Sequence, residues 1–80
     1  MANDYTSKET LEALAKLAQS WEIAANIQAM GARQAIAANL GNKPYVQATA
    51  VEMARADGEA KAFRRIVGIC VETIAHQEKA

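Results

Sequence analysis

Two long helical patterns joined by one short breaker, Leu40-Gly41-Asn42-Lys43-Pro44, constrain this chain more than any other feature. A chain built this way is a helical hairpin, and two helices alone cannot enclose a core. Apolar surface left over must meet another chain. With 80 residues the chain is one domain at most. A domain of that size buries only about 60–65% of its unfolded surface and needs a supplement from disulfides, metals or oligomerisation. The single cysteine, Cys70, excludes an internal disulfide and suits a reducing compartment. One histidine and one cysteine do not make a four-ligand zinc site without carboxylates or a second chain. Oligomerisation is the supplement that remains.

The element boundaries follow from caps and breakers. Residues 1–5 are polar and read as a loose N-terminus. Thr6-Ser7-Lys8-Glu9 reads as a capping box, with the Thr6 hydroxyl accepting from the Glu9 N–H. A first helix is predicted over about 7–40, since Ala, Leu, Glu, Lys and Gln dominate that stretch. Gly41 suits the left-handed residue after a helix end, and 41–43 form the turn. Asn42 is placed to cap a second helix over about 44–77, with Pro44 in its first turn. Asp57-Gly58 is a common turn dipeptide, yet the apolar phase runs through it. Val46, Thr49, Met53, Ala56, Ala60, Phe63, Val67, Cys70, Val71 and Ile74 keep to one stripe. Continuous helix is the expectation.

The first helix shows two apolar faces. Leu11, Leu14, Ala18, Trp21, Ala25, Ala29, Ala32 and Ile36 form a near-heptad seam suited to packing on the second helix. The opposite face is polar at Glu9, Glu12, Lys16 and Gln19, then apolar at Ile23, Ile27, Met30, Ala37 and Leu40. A helix apolar on both sides is covered on both sides. The interface with a second chain is therefore expected at Trp21, Ile23, Ile27, Met30, Gly31 and Leu40, with the small residues around Gly31 allowing close approach. The second helix has a weaker second face of Val51, Ala62, Ile66, Ile69 and Thr73. Arg55, Lys61, Arg64 and Arg65 there could form a rim around a partner patch, against a plainer reading as a solvated mixed-charge surface. Asp57 and Lys61 stand four apart in the favourable order for an ion pair.

No catalytic constellation, metal-ligand spacing or glycine-rich phosphate loop is visible, so no enzyme, cofactor or metal is expected. Cys70 reads as a small core hydrophobe and His76 as a partner of the helix C-terminus. Nine basic and nine acidic residues balance to zero, which gives no bulk pull toward nucleic acid or anionic membranes. No segment approaches a membrane span, and Met1-Ala2-Asn3-Asp4-Tyr5 lacks the start of a signal peptide, so a cytoplasmic location is expected. Two rival readings stand beside protein–protein interaction. Ile36-Ala37-Ala38-Asn39-Leu40-Gly41 looks like the first helix and turn of a helix-turn-helix, although the following Tyr45-Val46-Gln47-Ala48-Thr49 has no basic residue to meet phosphate. An oligomer could also hold a nucleotide or other small molecule between subunits through Tyr45, Arg55, Arg64 and Arg65.

The stretch Glu52-Met53-Ala54-Arg55-Ala56-Asp57-Gly58-Glu59-Ala60-Lys61-Ala62-Phe63-Arg64 resembles a pattern in small helical-hairpin proteins of tailed bacteriophages. There a tryptophan-bearing helix precedes one reading Arg-x-x-Gly-Glu-x-x-Ala-hydrophobic-Arg. Trp21, Arg55, Gly58, Glu59, Ala62, Phe63 and Arg64 match it. The resemblance implies a non-enzymatic phage accessory or virion-associated protein, located in the host cytoplasm or the particle. The sequence-based expectation is thus an all-α antiparallel hairpin that dimerises into a four-helix bundle or larger oligomer. It would bind itself and another protein.

Overall fold

The computed structural model describes residues 7–79 and consists there of two helices, α1 (Lys8–Ala38) and α2 (Lys43–Lys79). The N-cap of α1 is Ser7, one residue later than the capping box predicts. Its Oγ accepts from the Thr10 N–H at 3.2 Å, and the first helical bond runs from the Leu11 N–H to the Ser7 carbonyl. Thr6 and the N-terminal stretch 1–5 lie outside the described residues.

Asparagines close the hairpin. The Asn39 N–H donates to the Ile36 carbonyl and its side-chain amide donates to the Ala35 carbonyl at 2.8 Å, satisfying two C-terminal acceptors of α1. The Asn42 N–H then donates to the Asn39 carbonyl, and the Asn42 side chain accepts from the Tyr45 N–H at 3.3 Å as the cap of α2. Gly41 is not left-handed: none of the described residues has a positive φ. Side-chain capping by Asn39 replaces the glycine-based stop.

α2 passes through Asp57-Gly58 without a break. Asp57 pairs across the hairpin with Arg33 at 2.7 Å, rather than along its own helix with Lys61. That tie helps hold the weak point of α2 against α1.

The seam is built of alanine. The buried residues of α1 are Leu11, Ala18, Ala25 and Ala29, flanked by half-buried Ala15, Glu22, Ala32 and Ile36. α2 contributes Ala56, Ala60 and Cys70, flanked by Val46, Thr49, Met53, Phe63, Val67 and Ile74. The predicted stripe of α2 thus faces α1, except Val71, which is 56% exposed. On α1 the seam departs from expectation at two places. Ala15 and Glu22 occupy it, while Leu14 and Trp21 stand 40% and 44% exposed beside it. Small side chains let the helix axes approach, and an indole does not fit between closely spaced helices.

The resulting shape is a slab of 58 × 23 × 13 Å, about one helix thick, with a radius of gyration of 17.6 Å. A compact chain of this length would have a radius near 12 Å. Five of the seven buried residues are alanine, so the hairpin's core holds little apolar volume.

Candidate interaction surfaces

The slab has two broad sides of different chemistry. One side carries ion pairs that link the helices along their length: Lys8–Glu78 at 2.7 Å, Glu22–Arg64 at 2.9 Å and Arg33–Asp57 at 2.7 Å. Lys8, Glu22 and Arg33 lie nearly whole numbers of turns apart, which is why one side of α1 holds all three. The Glu22 side chain is 19% exposed, whereas its partner Arg64 is 65% exposed. At the open end, the Glu78 carboxylate raises the Lys8 ammonium above its ordinary value by hydrogen bonding and charge.

The other broad side is apolar along α1, while α2 lends it the Arg55–Glu59 pair and Glu52. Leu14, Leu17, Trp21, Ala24, Gln28, Gly31 and Ala35 alternate three and four residues apart along α1 and form a second near-heptad row beside the seam. From α2, Phe63 meets Trp21 with ring centroids 5.4 Å apart and planes tilted by 48°, an arrangement favoured by aromatic quadrupoles. Trp21, Ala24, Ala25, Gln28, Glu59 and Phe63 line an open cleft. A second, more polar depression with Gln28, Ala35, Tyr45, Thr49, Glu52 and Arg55 continues it toward the turn.

The predicted interface residues therefore fall on separate surfaces. Ile23, Ile27 and Met30 lie on the outer edge of α1, away from α2, and are 57%, 63% and 56% exposed. Leu40 lies in the turn and is 70% exposed. Trp21 belongs to the apolar broad side instead, and Gly31 borders both surfaces. Nothing lies within 4 Å of where a Gly31 β-carbon would be. Glycine at such a helical position costs about 1 kcal/mol relative to alanine, and no contact within the hairpin offsets it.

The basic rim divides as well. Arg64 is held by Glu22, and Arg55 reaches Glu59 at 3.4 Å one turn along its own helix. Lys61 and Arg65 border a shallow surface with Gly58, Ala62 and Ile66 on α2. The second face expected on α2 is exposed at Val51, Ala62 and Ile69 and half-buried at Ile66 and Thr73. The apolar row Leu14–Leu17–Trp21–Ala24 was concealed in the sequence because Leu14 and Trp21 also fit a seam shifted by one position.

Cys70 is a free, buried thiol at 2% exposure, and His76 lies exposed in the last turns of α2. Among the described residues, no group of three or more His, Cys, Asp or Glu is placed to hold a metal ion. No helix there is long and apolar enough to cross a membrane. The chain matches no known family, no curated protein and no solved structure.

Proposed function

We propose that this is a non-catalytic assembly protein that binds copies of itself and a second protein. The observation that carries the reading is the distribution of apolar surface. Eleven large apolar side chains are at least 40% exposed among the described residues, while the hairpin's own core is mostly alanine. Scattered apolar side chains are normal on a monomer, but contiguous rows such as Leu14–Leu17–Trp21 and Ile23–Ile27–Met30 mark contact surfaces. Leu14, Leu17 and Trp21 lie on one broad side and Ile23, Ile27 and Met30 on the outer edge, which gives room for two kinds of contact; Leu40, Val51, Ile69 and Val71 lie elsewhere. A role as a phage accessory or virion protein, in the particle or against a host protein, fits the resemblance in Glu52–Arg64.

Two observations favour this over a DNA-binding regulator. Helix-turn-helix pairs cross at about 90–120°, whereas α1 and α2 run side by side from the Lys8–Glu78 pair to the turn. Lys8, Arg33, Arg55 and Arg64 are also engaged with carboxylates, which weakens any phosphate-binding patch. The test is absolute mass by light scattering, paired with DNA binding at low salt. A mass that is a multiple of 8.6 kDa supports assembly. A folded monomer whose DNA affinity falls steeply with salt supports the regulator instead.

A further inference from the structure

We infer that the surface joining two copies is the apolar broad side centred on Trp21, with α1 packed antiparallel on α1 of the second copy. This rests on the assembly reading above and names the partner of one surface. The outer edge of Ile23, Ile27 and Met30 then stays outside the self-contact.

The row on α1 is complementary to itself. Its large residues, Leu14, Leu17 and Trp21, stand in the N-terminal half, and its small ones, Ala24 and Gly31, in the C-terminal half. In an antiparallel heptad pair, each layer sets one position of the row against the alternate position of the other helix. A two-fold axis between residues 22 and 23 places Trp21 over Ala24 of the second copy, Leu17 over Gln28 and Leu14 over Gly31. Trp21 and Leu14 then meet the small Ala24 and Gly31, while Leu17 lies along the Gln28 stem. An isologous contact requires such self-complementarity. Gly31, open within the hairpin like Gly58 and Gly68, then faces Leu14 of the second copy. The cleft beside Trp21, lined by Ala24 and Gln28, is where the second copy's indole would seat.

Area and charge agree with a second copy as occupant. Leu14, Leu17 and Trp21 are each at least 40% exposed on this side. A stable dimer covers about 800 Å² on each partner, within the reach of one broad side of a slab measuring 58 × 23 Å. The opposite broad side carries three ion pairs between the helices around a cleft with Val71 and Ile74, against the single Arg55–Glu59 pair on the Trp21 side. A chain with nine basic and nine acidic residues carries no net repulsion against its own copy.

The test is sedimentation equilibrium on the wild type, Gly31→Leu, Leu14→Ala/Gly31→Leu and Ile27→Glu, with helicity followed by circular dichroism. Wild type is expected as a dimer. Gly31→Leu keeps its helicity but weakens self-association about tenfold or more, by setting leucine against Leu14 of the second copy. The double variant restores the dimer by exchanging large for small within one layer, and Ile27→Glu leaves it intact. A dimer indifferent to Gly31→Leu but dissociated by Ile27→Glu overturns the inference and leaves assembly standing through the outer edge. A double variant that fails to recover overturns the register. A wild type monomeric throughout overturns both the inference and the assembly reading.

Discussion

Replacing Ala29 with leucine tests whether the alanine seam is as tight as it looks. Ala29 is 1% exposed, and the buried residues of α2 in the middle of the seam, Ala56 and Ala60, are each 2% exposed. Leucine and alanine differ little in helix propensity, so the backbone adds almost nothing to the difference. Were there room, three added carbons at about 0.8 kcal/mol each would stabilise the hairpin by about 2.4 kcal/mol. A closely approached seam gives the opposite sign, because the helices must separate, at a cost of about 1–3 kcal/mol. For a chain of this length, 2 kcal/mol lowers the melting temperature by about 8–16 °C. The assay is thermal and urea unfolding by circular dichroism at fixed protein concentration, since self-association makes melting concentration-dependent. Ala54→Leu, at an exposed position of α2, serves as the control and should stay within about 0.5 kcal/mol of wild type. A higher melting temperature for Ala29→Leu would refute the close seam.

Three further outcomes are expected. Asp57→Pro should cost about 3 kcal/mol or more by removing a helical hydrogen bond and clashing with the preceding turn; it also deletes the Arg33 tie, and unchanged ellipticity at 222 nm would show that α2 does not depend on continuity there. The Cys70 thiol, at 2% exposure, should react with a thiol reagent only as fast as the protein unfolds, and rapid labelling of the folded protein would contradict its place in the seam. Because Glu78 raises Lys8 above its ordinary value of 10.5, the stability from this pair is fully present below that pH and is lost as pH rises through the raised value; Lys8→Met should remove that alkaline loss, and an unchanged alkaline profile would exclude the pair as its source.

Much of the fold was legible because helix periodicity and end signals are local. The breaker around Gly41, the cap at Asn42 and the phase of α2 through Asp57-Gly58 each depend on residues within a turn or two. The Asn39 cap was missed because an asparagine that bonds back to Ala35 looks in sequence like any polar turn residue. The surfaces were less legible because a 3-4 spacing on α1 admits two neighbouring rows. Leu11 and Ala18 belong to either, and only the size of Trp21 set against Ala15 and Glu22 decides which row enters the seam. Cross-helix pairs such as Arg33–Asp57 depend on the register between helices, which no single helix encodes. The sequence therefore shows only the i,i+4 pairing with Lys61.

Trp21 is the chain's single tryptophan, so its fluorescence reports one place. Collisional quenching by acrylamide, compared between the wild type and Gly31→Leu at the same micromolar concentration, tests most directly whether a second copy completes this hairpin. In a lone hairpin the indole is 44% exposed. A second copy over that side predicts a strongly protected tryptophan in the wild type and a freely quenched one in Gly31→Leu. Equal quenching in both, at the rate of a half-exposed indole, would mean that nothing covers the Trp21 side and that self-association, if present, lies elsewhere.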